Sequence, residues 1–167
     1  KYNNKNNIFN MPENEDNKLL QYIQNTKTLE QQLESETNNW NKILSDLSKK
    51  LKGNAKDLYI VDADVTNYRQ LVTSEIRKYS LSIYKENKIL KPLIKKRFEW
   101  YSTKYQINIK NSGDKMKLIE SDIADIQYKI DLLDVHVDFL KTTGDNLKQM
   151  GYTVKNRLEL LNILGLD

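Results

Sequence analysis

The sequence predicts an all-α fold in which long helices form an elongated hairpin or bundle. Glycine and proline, which interrupt helices, number only 5 and 2 among the 167 residues. Apolar residues make up 38% of the chain and charged residues 30%, so narrow apolar stripes must do the packing. Those stripes recur in steps of three and four residues, which is the spacing of coiled-coil seams. We therefore expect helices that pack along narrow seams, against one another or against other copies of the chain.

The first helix is predicted from about Asn17 to Leu51, after an asparagine-rich tail over residues 1–16. The residues Lys52-Gly53-Asn54 are a typical helix stop. The predicted seam of this helix comprises Tyr22, Thr26, Leu29, Leu33, Glu36, Trp40, Ile43 and Leu47. Because Thr26 and Glu36 are polar, they are the two irregular positions of this seam.

Residues 57–65 fit either a short extended piece or the entry to the second helix. We favour a connector that ends in a helix cap near Asp64 or Thr66. Pro92 lies inside this helix and lacks a backbone N–H, so a kink or break is expected over Lys88–Lys91. The apolar positions are Leu71, Val72, Ile76, Tyr79, Ile83 and Leu90, followed by Ile94, Phe98, Tyr101 and Tyr105. Asn108–Asp114 is then predicted to be a turn.

The third helix has the most regular seam, because every seam residue is aliphatic. These residues are Ile119, Ile123, Ile126, Ile130, Leu133, Val137 and Leu140. Thr142–Asp145 is predicted to interrupt or bend the chain before a last helix over Asn146–Leu164. One face of that helix carries Leu147, Met150, Val154, Leu158 and Leu161. So little core surrounds this face that we expect it to contact other subunits.

Several classes of function are excluded by what the sequence lacks. It contains no cysteine, no stretch of about 18 apolar residues, and no glycine-rich phosphate loop. The one histidine, His136, lies between Asp134 and Asp138, but residues two apart on a helix point away from each other. We therefore expect a solvated or seam-flanking histidine, no metal, no cofactor and no catalysis. The N-terminal residues also lack the apolar core of a signal peptide, which favours a cytoplasmic protein.

The charges are distributed unevenly along the chain. Tyr84–Lys110 contains eight basic and two acidic residues, a local balance of +6. Asp114–Asp145 contains eight acidic and four basic residues, a balance of −4. Cations interleaved with aromatic residues are typical of sequence-tolerant single-strand binding, because cations neutralise phosphates and aromatic faces stack on bases. The alternative is an amphipathic helix whose aromatic residues are core and whose lysines are simply solvated.

Two stretches of the chain resemble the phage UvsY-type recombination mediator family. Ile94–Ser102 is similar to a family motif of an aliphatic residue, lysine, any residue, arginine, an apolar residue, an acid, two aromatics and serine. The closing pattern of the family is matched in order and spacing by Asp138-Phe139, Asp145, Lys148, Gly151-Tyr152, Val154-Lys155 and Asn156. The resemblance covers residues 40–167, which we interpret as a single-stranded-DNA-binding and assembly domain. Residues 1–39 form an N-terminal extension, which together with Pro92 departs from the family pattern.

The resemblance implies a phage-encoded, non-enzymatic protein of the host cytoplasm. Proteins of this family form rings, bind single-stranded DNA and help load the phage recombinase onto strands covered by the single-strand binding protein. The motif makes Lys95 and Arg97 the leading DNA contacts. Our reading of the basic segment adds Lys96, Trp100, Tyr101 and Lys104. The assembly element of the family corresponds here to the helix face that carries Leu147, Met150, Val154, Leu158 and Leu161.

A structural coiled-coil subunit of a phage particle or other large assembly is the main alternative. The seams at Tyr22–Leu47 and Ile119–Leu140 favour it, and so does the long helix outside the family resemblance. Under this interpretation the basic segment contacts acidic surfaces of a neighbouring subunit rather than DNA. An enzyme is disfavoured because the sequence has no acid–base or metal-binding constellation.

Overall fold

Four helices, and no strand, make up the residues that the computed structural model describes, which are 13–105 and 109–165. The helices are α1 (Glu13–Lys50), α2 (Ala55–Thr103), α3 (Ser112–Asp122) and α4 (Ala124–Leu164). The all-α prediction is therefore confirmed. The tail prediction was too long, since α1 already begins at Glu13; residues 1–12 and the side chain of Tyr22 lie outside the described set.

The main packing unit is an antiparallel pair of α2 and α4. Added Cβ atoms at Gly144 and Gly151 would lie 3.5 Å from Val72 and Val65 respectively. The later glycine thus faces the earlier valine, which means that the two helices run in opposite directions. Fully buried aliphatic side chains fill the interface on both sides of these glycines. They include Leu58 and Val61 of α2, and Leu140, Leu147 and Val154 of α4. The two helices thus share one long apolar core.

Helix α1 lies along one side of this pair, antiparallel to α2 and parallel to α4. The Trp40 indole donates a hydrogen bond to Glu75 of α2 at 2.9 Å, and Lys50 pairs with Asp64 at 3.6 Å. Tyr128 of α4 reaches Glu30 nearer the start of α1. The buried residues Leu33, Trp40 and Leu47 belong to the same core as the α2–α4 pair. The seam predicted for α1 therefore faces inward from Thr26 to Leu47.

The connector predicted over residues 57–65 is wrong, because α2 begins at Ala55. Asn54 caps the helix by accepting a hydrogen bond from the Asp57 backbone N–H, while the Asp57 carboxylate accepts one from the Asn54 N–H. This reciprocal capping satisfies backbone donors that would otherwise have no partner. Val61 and Val65 then fall on the buried face of the helix. The acids of this stretch, Asp62 and Asp64, lie outside that buried face.

Neither of the long helices is broken at the two places where a break was among the predictions. Helix α2 continues through Pro92, whose ring is exposed, and apolar contacts of Leu90 and Tyr101 hold the chain on either side of it. Helix α4 continues through Thr142–Asp145, where Thr143 and Gly144 face the core region. The helical chain that follows α2 is interrupted only at Ile123, the single residue between α3 and α4. Tertiary packing therefore overrides the local helix-breaking tendency at both places.

A polar cluster lies between α1, α2 and α4. Glu36 accepts a hydrogen bond from the Tyr79 hydroxyl at 2.6 Å, and the same oxygen lies 3.4 Å from His136 Nε2. The His136 ring meets the Tyr79 ring edge-on, with centroids 4.9 Å apart. His136 is only 3% exposed, so of the two expected environments the solvated one is wrong, and the histidine instead flanks the buried seam residue Val137. The irregular seam position Glu36 is thus the partner of groups on both other helices.

This cluster makes folding stability depend on pH. Burial lowers the pKa of His136, although the nearby Glu36 carboxylate acts in the opposite direction. Burial raises the pKa of Glu36, but hydrogen bonds from Tyr79 and Gln32 together with the charges of Lys78 and His136 more than offset this, and the net shift is downward. Both groups bind fewer protons in the folded state than in the unfolded state. Their contribution is therefore present above the unfolded pKa values and is lost as the pH falls.

We expect the free energy of unfolding to decrease when the pH is lowered from about 7.5 to about 5.5, the window in which histidine gains its proton. Urea titrations at one fixed protein concentration measure this loss. His136 is the only histidine in the sequence, so His136→Phe should flatten the pH dependence over the same window. An equal loss in His136→Phe and the wild type would contradict a role for the buried imidazole.

Gly144→Ala and Gly151→Ala should each raise the free energy of unfolding. The added methyl group makes an ordinary contact with Val72 or Val65, and alanine in a helix interior is more stable than glycine by about 0.5–1 kcal/mol. Gly53→Ala is the opposite control, because its methyl group would collide with the Asp57 carboxylate and disturb the cap. Urea titration distinguishes the two directions; a destabilised Gly144→Ala would mean that the helices approach too closely for a methyl group.

Candidate nucleic-acid interface

Residues 84–103 of the basic segment (Tyr84–Lys110) form the C-terminal part of α2, and α3 folds back against them. A second apolar cluster joins the two helices and the start of α4. Its buried members are Leu90, Tyr101, Ile119, Ile123 and Ile130. This cluster holds one side of α2, so the lysines of the opposite side are directed to solvent.

Lys95 and Lys96 are exposed on this outer side of α2. Among the described side chains, which are those of residues 24–105 and 109–165, no carboxylate lies within 4.0 Å of either ammonium group. Lys104 is exposed as well and caps the end of the helix, donating its backbone N–H to the Trp100 carbonyl at 2.9 Å. Three cations of the predicted site are therefore accessible to an anionic ligand.

Arg97 has a different environment, because it is partly buried against α3. Its Nε lies 3.5 Å from Asp122 Oδ2, and the Tyr101 hydroxyl donates a hydrogen bond to the same oxygen at 2.9 Å. Burial and this bond to Asp122 raise the pKa of Tyr101 to about 12. The Arg97 guanidinium carries four further N–H donors besides Nε. Arg97 therefore fastens α3 to α2 and retains donors for another ligand.

The aromatic residues of the segment divide between core and surface. The Tyr101 side chain is buried, at 7% exposed, so its ring offers no free face for a base. Trp100 is 37% exposed and contacts the rings of Tyr101 and Tyr105 at centroid distances of 4.9 and 5.1 Å. Phe98 is also exposed, with the Lys115 ammonium 5.7 Å from its ring centre. Trp100, Phe98 and the exposed Tyr84 at the start of the segment are the aromatic surfaces available for stacking.

Two residues of this site could not be found from the sequence. Asp122 of α3 orients both Arg97 and Tyr101, and Lys115 reaches Ser102 at 3.1 Å as well as the Phe98 ring. In the sequence both belong to a mixed run of charges with no distinguishing spacing. Only the return of α3 along α2 brings them to the basic segment. DNA contact stays a prediction for Lys95, Lys96, Arg97, Trp100, Tyr101 and Lys104.

The residues predicted to mediate assembly face the interior of the single chain. Leu147 and Val154 are fully buried against α2, while Met150, Leu158 and Leu161 are half-buried against the same core. The exposed apolar residues of this part of α4 lie elsewhere. They are Tyr152, Leu160, Ile163 and Leu164. Any subunit contact on this part of α4 must therefore involve its outer side.

The described residues contain neither a membrane-spanning helix nor a metal-binding cluster. No helix there is both long and apolar enough to cross a membrane. Within the same residues, no group of three or more histidine or acidic side chains is placed to hold a metal ion.

Comparisons with known proteins identify the family of the chain. No curated protein and no solved structure matches the sequence. A family model described as "Recombination, repair and ssDNA binding protein UvsY" matches residues 64–164. The match includes the basic segment, α3 and all of α4, and it leaves α1 outside. Because it covers more than half of the sequence, the chain belongs to the UvsY family of recombination, repair and single-stranded-DNA-binding proteins.

Proposed function

We propose that the protein is a non-enzymatic recombination mediator, which binds single-stranded DNA at the C-terminal part of α2. It helps to load a phage recombinase onto strands covered by single-strand binding protein, and it acts as a ring oligomer in the host cytoplasm. The observation that carries this proposal is that Lys95, Lys96 and Trp100 are exposed inside the family match, with no carboxylate of the described side chains within 4.0 Å of either lysine.

The proposed contacts divide by chemistry. Lys95, Lys96 and Lys104 neutralise phosphates and release counterions, which gives affinity without sequence preference. Trp100 stacks on an unpaired base through the part of its ring that is exposed. Arg97 contributes its remaining donors to a phosphate while Asp122 holds its Nε. Tyr101 positions Trp100 by edge contact instead of stacking on a base itself.

Assembly supports this binding mode because a ring repeats the same few contacts. Each subunit offers modest phosphate contacts, and linking several on one strand turns later contacts into intramolecular ones. We place the contact between subunits on the outer side of α4, at Leu160, Ile163 and Leu164. The five inward residues Leu147, Met150, Val154, Leu158 and Leu161 support this surface by holding α4 on α2.

Lys95→Gln/Lys96→Gln should weaken single-strand binding and make it less dependent on salt. Two lost phosphate contacts reduce the slope of log K against log salt by about 1.4, since each contributes about 0.7 on a single strand. At about 0.1 M salt this corresponds to roughly 10- to 30-fold weaker binding. Fluorescence anisotropy of a labelled oligonucleotide, titrated at several salt concentrations and competed with duplex, measures both quantities.

The matched control is Lys27→Gln/Lys42→Gln, which removes two exposed lysines from α1. It should leave affinity and slope unchanged. If the intact wild-type oligomer binds no single-stranded DNA even at low salt, the mediator proposal is wrong and the structural-subunit alternative is favoured. If both variants weaken binding equally, general charge and not this site is responsible.

Ile163→Glu/Leu164→Glu should reduce the oligomer mass without reducing helix content, because both side chains are exposed in the single chain. Leu147→Ala should instead lower the free energy of unfolding by about 2–5 kcal/mol, as expected for a buried leucine. Light scattering coupled to size exclusion gives the mass, and circular dichroism gives the helix content. A Glu-substituted variant that keeps the full mass would place the subunit contact elsewhere.

A further inference from the structure

We infer that the groove between α2 and α4, on the side opposite α1, is a second binding site for the phosphodiester backbone of a single strand. Its main contacts are Arg69 and Lys148. The inference rests on the proposed function, and it extends the contact surface from the end of α2 to the middle of the α2–α4 pair.

The groove has a volume of about 810 Å³ and is lined by residues of α2 and α4 alone. Arg69 of α2 faces Lys141 and Lys148 of α4 across it, and Asp145 is the acid among its lining residues. Gly144 contributes no side chain, so the groove stays open down to Val72. The lining therefore carries a net charge of +2, which favours an anionic ligand.

Arg69 and Lys148 are exposed, and no carboxylate of the described residues lies within 4.0 Å of either. Lys141 pairs with Asp138 at 2.8 Å, but both side chains are largely in solvent. Such a surface pair contributes little and can be exchanged for a phosphate. The two unpaired cations consequently carry the inference.

On the side of α2 that lines the groove, the helix carries no carboxylate between Val65 and Phe98. Between Val65 and Phe98 the helix has only two acids, Glu75 and Glu86. Glu75 accepts the hydrogen bond from Trp40 of α1, and Glu86 pairs with Lys129 of α4. Both are thus turned towards partner helices and away from the outer side, where they would repel a polyanion.

A row of basic residues along α2 connects the groove with the basic segment. At 100° per residue, the bases on this side of α2 fall within an arc of about 100°. They are Arg69, Arg77, Lys88, Lys91 and Lys95, and all are exposed. Arg69 and Lys95 are 26 residues apart, which is about 39 Å along a helix.

A line of this length suits a polyanion better than an isolated phosphate. None of the groove-lining residues is aromatic, so the groove can hold a sugar–phosphate backbone but cannot stack bases. The exposed aromatics of the same side, Tyr84 and Phe98, lie nearer the C-terminal end of α2. We therefore assign backbone contact to the groove and base stacking to the end of the helix.

The test is Arg69→Gln/Lys148→Gln in the full chain, titrated with a labelled single strand of roughly 16 nucleotides. We expect the magnitude of the salt slope to fall by about 1.4, with an unchanged oligomer mass. Thr73, an exposed groove residue, supplies an independent pair of variants. Thr73→Glu places a carboxylate in the groove and should weaken binding several-fold more than the neutral Thr73→Gln.

The outcomes separate the groove from the proposed function. If Lys95→Gln/Lys96→Gln lowers the slope while Arg69→Gln/Lys148→Gln does not, and Thr73→Glu binds as tightly as Thr73→Gln, the groove assignment is overturned and the mediator proposal stands. If the wild type binds no single strand, the mediator proposal itself fails. A reduced slope in both pairs, with Lys27→Gln/Lys42→Gln unchanged, supports a strand that contacts both regions.

Discussion

The close antiparallel packing of α4 on α2 is the constraint on which the other features depend. Gly144 and Gly151 lie opposite Val72 and Val65, seven residues apart on each helix, and the fully buried Leu147 lies between the two glycines. With α2 and α4 packed in this way, α1 covers one side of the pair and the opposite side faces solvent. It also carries the groove directly, since the groove is the outer edge of the same helix pair.

The basic segment depends on a different and smaller contact. Beyond Leu90 the α2 helix is supported by α3 and the start of α4, through the second apolar cluster and through Asp122. Asp122 thus orients both Arg97 and Tyr101, which the sequence analysis predicted to contact DNA. The site combines exposed lysines, which need no support, with an arginine and aromatics whose orientation depends on α3.

Periodicity in the sequence predicted the helices and their inward faces well, because burial of apolar side chains decides both. The inward face of α1 and the aliphatic residues from Ile119 to Leu140 are buried or half-buried largely as their spacing predicts. The ends of α1 and α4 fall within one residue of the predicted Leu51 and Leu164, whereas the start of α2 and the breaks inside α2 and α4 were predicted poorly. Asn54 and Asp57 begin α2 through paired capping bonds, whereas Pro92 and Gly144 sit in continuous helices because long-range packing outweighs their local cost.

The site could be predicted in part for a similar reason. The exposure of Lys95 and Lys96 follows from their position on the helix, but the partner of Arg97 lies 25 residues away, on another helix. The inward orientation of Leu147 and Val154 has the same origin. An apolar helix face is visible in a sequence, but whether it packs on its own chain or on another copy depends on the tertiary arrangement.

The polar contacts of Glu36 have a consequence for the alignment of α1. An apolar seam that repeats every seven residues fits its partners almost equally well after sliding by seven residues, so apolar contacts alone would allow α1 to occupy several registers. Such a slide would bring Leu29 or Ile43 to the position of Glu36. The Tyr79 hydroxyl and the buried His136 would then lose their carboxylate, and Glu36 would face apolar side chains instead. The irregular residue of the seam therefore selects a single register for a helix that could otherwise shift along the α2–α4 pair.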